Sequence, residues 1–241
     1  MPLPLWRRAL AELIGSTLLA ATVVGSGIAA ERLSPGQVGL QLLENSLVTG
    51  AVLVALILAL GPVSAAFNPA VTLAERVLGA LSTRAAAAVV AAQVAGCCAG
   101  VVLAHLMFGL PAVDPSSTTR TGGGLWLGEV VATAGLLLVV FGVVRSGRTA
   151  HLAYAVGGYI TAAYWFTSST SFANPAITVA RTLTDTFAGI APASAPGFVL
   201  AQLVGAALAV AAVRALYPDA RWLADRVVDA DPAPVRPEER R

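Results

Sequence analysis

The tripeptide Asn-Pro-Ala occurs twice, as Asn68-Pro69-Ala70 and Asn174-Pro175-Ala176, each time inside a stretch apolar enough for a lipid interior. Both copies belong to a longer echo, Phe67-Asn68-Pro69-Ala70-Val71-Thr72-Leu73-Ala74 against Ala173-Asn174-Pro175-Ala176-Ile177-Thr178-Val179-Ala180. Asparagine is a favoured helix N-cap and proline a favoured first helical residue, so each copy reads as a helix start. A helix that starts in mid-bilayer leaves non-helical backbone in front of it. Such backbone is tolerated there only where it lines a water-filled cavity or is packed in protein. One such start in each half of the chain predicts a pore.

The setting is a membrane because the chain lacks polar surface. Only 12% of its 241 residues are charged and 57% are hydrophobic, whereas a soluble domain carries about 25% charged residues. Six apolar windows lie near residues 9–30, 40–60, 85–107, 125–144, 149–166 and 196–216, each close to the roughly 20 residues that cross about 30 Å of hydrocarbon. The first is long and leads straight into the repeat, so it reads as a span and not as a cleavable signal. A formal net charge of +2, scattered along the chain, does not suit a nucleic-acid partner. All basic residues are arginine. Arg7, Arg8, Arg76, Arg84, Arg145, Arg148, Arg214 and Arg221 fall on one side of the predicted spans, against Arg32, Arg120 and Arg181 on the other. The positive-inside bias predicts an inner (plasma) membrane protein with both termini cytoplasmic.

The expected organisation is a single domain over residues 1–216 and a polar cytoplasmic tail over 217–241. Pro232, Pro234 and Pro237 suggest that the tail is solvated and disordered. Cys97 and Cys98 are neighbours without histidine partners, so they read as small helix-contact fillers; no metal or cofactor is expected.

Further pairs recur in the same order in both halves. Glu12 in the first span answers Glu129 in the fourth, and Gln93 in the third answers Gln202 in the sixth. Two repeats follow, at about 5–110 and 122–216. Three spans per half is an odd number, so the second half enters the membrane from the opposite face: an inverted repeat, with its site near the midplane. The segments after Asn68 and Asn174 run about twelve residues before polar or glycine breaks, roughly 18 Å of helix, half the bilayer. The expected fold is therefore all-α, with six transmembrane helices and two re-entrant half-helices around a central pore. The loops 61–67 and 167–173 supply its lining. Trp6, Trp126, Tyr154, Tyr164, Trp165 and Trp222 fall near span ends and read as interfacial anchors. His105 and His151 read as interfacial packing.

In these residues the chain resembles the major intrinsic proteins, the aquaporins and aquaglyceroporins, over about residues 8–216. The resemblance implies a passive channel in which Asn68 and Asn174 cap their half-helices and turn amide donors to the lumen. The positive ends of the two helix dipoles repel protons and cations. It implies that Glu12 and Glu129 accept hydrogen bonds from the loops before the half-helices, with Gln93 and Gln202 in support, and that four chains form a homotetramer. The partners expected are the lipid bilayer, water and small neutral solutes.

Departures from the family pattern bear on the solute. Water-selective members carry an arginine just after the second motif, where Ile177 stands here. Counted from the asparagines, the remaining filter positions fall on Thr49, Ala162 and Ser171. A Thr49, Ala162, Ser171 and Ile177 set predicts a wide, uncharged constriction that passes glycerol-like polyols, arsenous or boric acid, and water. The run Thr170–Ala176 resembles arsenite-associated bacterial members. Arg181, one turn beyond Ile177, has Glu75 as its counterpart in the first half. It reads either as a cation in the outer vestibule or as a helix-end charge paired with Asp185. The competing function is a secondary active transporter, whose ion site would have to use Glu12 and Glu129. No nucleophile–base or metal-ligand constellation supports an enzyme.

Overall fold

A computed structural model of the chain describes residues 3–217 and 225–228. Eight α-helices carry the fold: α1 Leu5–Leu33, α2 Val38–Leu60, α3 Pro69–Leu78, α4 Thr83–Met107, α5 Gly123–Arg145, α6 Leu152–Phe166, α7 Pro175–Ala180 and α8 Ala195–Leu216. Five of them, α1, α2, α4, α5 and α8, are long and apolar enough to cross a membrane. The sixth window is α6, with only 15 residues, lengthened at its start by a 3-10 turn over Thr149–His151.

The inverted repeat is visible in the packing. α1 lies along α4 as α5 lies along α8, α1 touches α2 as α5 touches α6, and α2 meets α6 to close the two halves on each other. The short helices α3 and α7 touch one another, and each is held by both α4 and α8. They are the two half-helices, abutting where the repeats meet.

Close backbone approach at glycines shapes the α1–α4 and α5–α8 pairs. A Cβ at Gly96 of α4 would stand 2.5 Å from the Leu13 carbonyl oxygen of α1, and one at the equivalent Gly205 of α8 would stand 2.5 Å from the Val130 carbonyl of α5. Such close approach is what small residues permit in membrane helices. Gly96→Ala drives a methyl into backbone that cannot rotate away, a strain typically of about 1–3 kcal/mol. Its melting temperature in detergent is expected to fall by roughly 3–10 °C. Gly158→Ala, where an added Cβ meets nothing within 4 Å, is the control and should not fall.

Polarity is turned inside out, as a lipid solvent requires. Leu10, Ile14 and Leu18 of α1 and Leu200, Val204 and Leu208 of α8 form exposed apolar stripes, while Glu12, Gln93, Glu129 and Gln202 are fully buried. Trp6, Tyr154 and Trp165 are at least half exposed and Trp126 is 41% exposed, positions that suit interfacial anchors. Trp222 lies outside the described residues.

The half-helices end differently. α3 stops at Gly79, whose φ of 97° is left-handed, and Ala80 donates to the Glu75 carbonyl at 2.9 Å, a glycine-capped helix end. The second half-helix, expected to reach about Thr186, is shorter. After Ala180 it tightens into a 3-10 turn, Arg181–Leu183. The reason is tertiary: the carbonyls of Thr182, Leu183 and Arg181 accept from Ser116, Asp114 and Ile190, so they are not free to continue a helix.

The chain after α8 also departs from expectation. Residues 225–228 form a helical turn near the chain's start, where the Arg8 guanidinium donates to the Val228 carbonyl at 3.0 Å. That part of the 217–241 tail is docked; residues 218–224 and 229–241 lie outside the described residues.

Candidate functional site

Two buried carboxylates build the centre. Glu12 on α1 accepts from the Ser64 hydroxyl at 2.5 Å, the Ala66 and Phe67 amides at 2.9 and 2.7 Å, and the Gln93 side chain at 2.8 Å. Glu129 on α5 repeats the pattern, with the Phe172 and Ala173 amides at 2.8 and 2.9 Å and Gln202 at 2.5 Å. Each glutamine donates its other N–H to a half-helix threonine, Gln93 to Thr72 at 3.0 Å and Gln202 to Thr178 at 2.8 Å. These contacts hold loops that would not stand alone. Phe67, Thr170, Ser171 and Ala173 all have left-handed φ, between 46° and 60°, at an expected cost of about 1–3 kcal/mol each for a residue with a side chain.

The asparagines complete the junction. Asn68 Oδ1 caps its own helix by accepting from the Ala70 amide at 2.9 Å, and Asn174 Oδ1 accepts from Ala176 at 3.0 Å and Ile177 at 3.3 Å. Across the junction, Asn68 Nδ2 donates to the Ala173 carbonyl at 2.7 Å and Asn174 Nδ2 to the Phe67 carbonyl at 2.8 Å. Each carboxamide thus spends one N–H on the opposite repeat and keeps a second. Pro69 and Pro175 occupy the first helical position, where a missing N–H costs nothing, and Ala70 and Ala176 are fully buried.

Asn68 and Asn174 line one continuous cavity of about 330 Å³. It begins at the mouth beside the chain termini, among Arg8, Pro62, Thr149 and the turn at 226–228, passes the asparagines, and extends to Tyr164, Phe172 and Arg181. Glu12 and Glu129 serve its walls; both oxygens of each are already taken by the loops and glutamines, so neither is left as an ion site.

Beyond the junction the wall differs from expectation. Thr49 and Ile177 line the cavity, and Ser171 lines it too, although its hydroxyl is buried and unpartnered among the described residues. Ala162 does not. It is exposed on the outer face of α6, because the lumen stripe on that helix is Ala153, Val156, Ile160 and Tyr164, at helical spacing, and Ala162 lies two residues (about 200°) round from Ile160. Tyr164, expected as an interfacial anchor, is 5% exposed, and its hydroxyl stands 3.3 Å from Thr49 Oγ1. Counting across the loop from Asn174 missed it; the four-residue stripe would have found it.

A charge also lines the lumen beyond the junction. Arg181 is 4% exposed and lines the lumen. Its guanidinium lies 3.4 Å from the centre of the Phe172 ring, and its Nε donates to the Ala188 carbonyl. Asp185 is not its partner: that carboxylate takes the Ser117 amide at 2.9 Å and the Ser117 hydroxyl, which holds it below the usual carboxylate range. A second guanidinium, Arg120, sits 5.4 Å from the same ring and bonds the Gly189 carbonyl at 2.9 Å. His105, expected at an interface, is fully buried. Its Nδ1 donates to the Pro111 carbonyl at 2.6 Å, and its Nε2 stands 2.6 Å from the Thr184 hydroxyl. It ties the loop to the end of the second half-helix.

Comparison with known proteins places this architecture. The family model for the major intrinsic proteins matches residues 2–167. The chain belongs to the major intrinsic protein family. Within it, the chain is 52% identical over 218 residues to a protein named aquaglyceroporin AqpS from Rhizobium meliloti (strain 1021), covering 90% of this chain and 93% of that protein. It also superposes on the X-ray structure of the aquaglyceroporin from Plasmodium falciparum with a TM-score of 0.68, covering 91% of this chain and all of that one at 19% identity. As a major intrinsic protein it is a channel and not an enzyme.

Proposed function

We propose that this protein is a passive channel for water and small uncharged hydroxylated solutes, glycerol first among them, with arsenous and boric acid as further candidates. One observation carries the reading. The continuous lumen offers paired donors at its centre and, farther out, a wall of Thr49, Tyr164, Ile177 and Arg181, with Ile177 where water-selective members carry arginine. Hydroxyl donors and acceptors on one side and an aliphatic chain on the other suit an amphipathic solute such as a polyol. The relative named an aquaglyceroporin is consistent with it.

The arginine distribution favours both termini in the cytoplasm, which makes the Arg8 mouth the inner one and Arg181 the outer charge. The exposed apolar stripes and the family likeness favour a homotetramer in the plasma membrane. Glu12 and Glu129, the ion site on which the transporter alternative would rest, are committed to the loops, which favours the channel reading.

Side-by-side stopped-flow permeation of water, glycerol and arsenous acid into vesicles tests the proposal. Water flux without glycerol uptake overturns it. In the same assay Tyr164→Phe, which removes the hydroxyl beside Thr49, is expected to lower glycerol permeation about two- to fivefold with less change in water. A neutral hydrogen bond contributes about 0.5–1.5 kcal/mol.

A further inference from the structure

The repeat relates two charged residues that the family pattern leaves unassigned. Val71 and Glu75 stand three and seven residues after Asn68, as Ile177 and Arg181 stand after Asn174, and all four line the lumen. One half-helix thus shows the pore an apolar residue and then a cation, the other an apolar residue and then a carboxylate one turn later.

Glu75 is 5% exposed, yet no hydrogen bond to its carboxylate exists among the described residues. Its oxygens are also not among the fully enclosed polar atoms, so what exposure they have is to the cavity. Around it the termini-side half of the lumen is walled by Ile57, Val71, Val144, Leu152 and Val156. The other carboxylate there, Glu12, is saturated by Ser64, Ala66, Phe67 and Gln93. A buried carboxyl group without protein partners is costly unless something else hydrogen-bonds it, and the lumen it lines is where such a partner passes.

We propose that Glu75 is a solute station and a specificity-determining residue: its carboxyl group exchanges hydrogen bonds with the hydroxyls of polyols and other multiply hydroxylated neutral solutes crossing the termini-side half, and favours them over water. A solute with several hydroxyls can bond both carboxyl oxygens at once, which a single water does less well. Beside the apolar wall of Ile57, Val71, Val144, Leu152 and Val156 this lowers the barrier for a bulky polar solute more than for water, whose desolvation there is smaller. The inference rests on the reading that hydroxylated solutes pass at all.

The test is the ratio of glycerol to water permeability in vesicles carrying wild type, Glu75→Leu and Glu75→Gln at matched content of folded protein. Glu75→Leu is expected to lower the ratio roughly three- to tenfold, about 0.7–1.4 kcal/mol of barrier. Glu75→Gln, which keeps one acceptor oxygen, is expected to recover part of it. An unchanged ratio in Glu75→Leu, or an equal fall of water and glycerol in both variants, overturns the station. Should the leucine variant not fold, Glu75→Gln decides alone, with a fall of about twofold expected and no change overturning. Absence of glycerol flux in wild type would instead overturn the broader proposal above.

Discussion

Glu129→Leu is expected to abolish recovery of folded channel. Its two oxygens take the Phe172 and Ala173 amides and the Gln202 side chain at 2.5–2.9 Å, and the residue is fully buried. Leucine leaves three donors without an acceptor in a fully buried site. At about 1–3 kcal/mol for each orphaned group, the loss is comparable to the whole stability of a typical domain, about 5–15 kcal/mol. It also loosens the loop that carries Ser171 and Ala173 in left-handed conformations. Size-exclusion yield after detergent extraction, and water flux of what is recovered, are the measurements. Glu129→Gln keeps one acceptor but sets an NH2 group against an amide N–H, so partial recovery is expected. A leucine variant that folds and conducts like wild type would show that the loop is held by something else.

Arg181→Ala is expected to leave the fold intact and open the pore to cations. The guanidinium lies on the Phe172 ring and lines the lumen, and its removal deletes a positive charge next to the path. For a permeating cation about 5 Å away, at an effective dielectric of about 20, that charge contributes roughly 3 kcal/mol of repulsion, about two orders of magnitude in occupancy. Dipole ends at Asn68 and Asn174 remain, and Arg120 stays near the same ring, so the observed rise in sodium or proton leak should be smaller, about tenfold or more. Arg181→Lys, still charged but unable to stack as a plane, should leak less than alanine. Ion exclusion unchanged in Arg181→Ala would assign the barrier to the half-helix ends alone.

Much of the architecture was legible in the chain because it is written in local, repeated signals. The Asn-Pro starts, the glutamate and glutamine echoes and the apolar windows each follow from chemistry within a few residues, and the helices at 69–78 and 175–180 begin where those signals put them. Legibility fails where a position depends on what lies across the lumen. Ala162 was placed by counting through a loop whose left-handed residues shift the register, and Tyr164 stands on the wall instead. Arg181 could have faced solvent, Asp185 or the pore; the Phe172 ring and the Ala188 carbonyl decide it. The docking of residues 225–228 on Arg8 has no signal in a tail of that composition.

By itself, then, the sequence determined a membrane-embedded inverted repeat with two helices starting at its centre, because helix capping, hydropathy and periodicity act along the chain. Only the tertiary structure decided which side chains meet the solute: a tyrosine in place of an alanine, a cation stacked on a ring, a carboxylate left open to the lumen. Those depend on helix rotation and on distances between segments far apart in the chain, where a shift of one or two residues turns a side chain from pore to lipid.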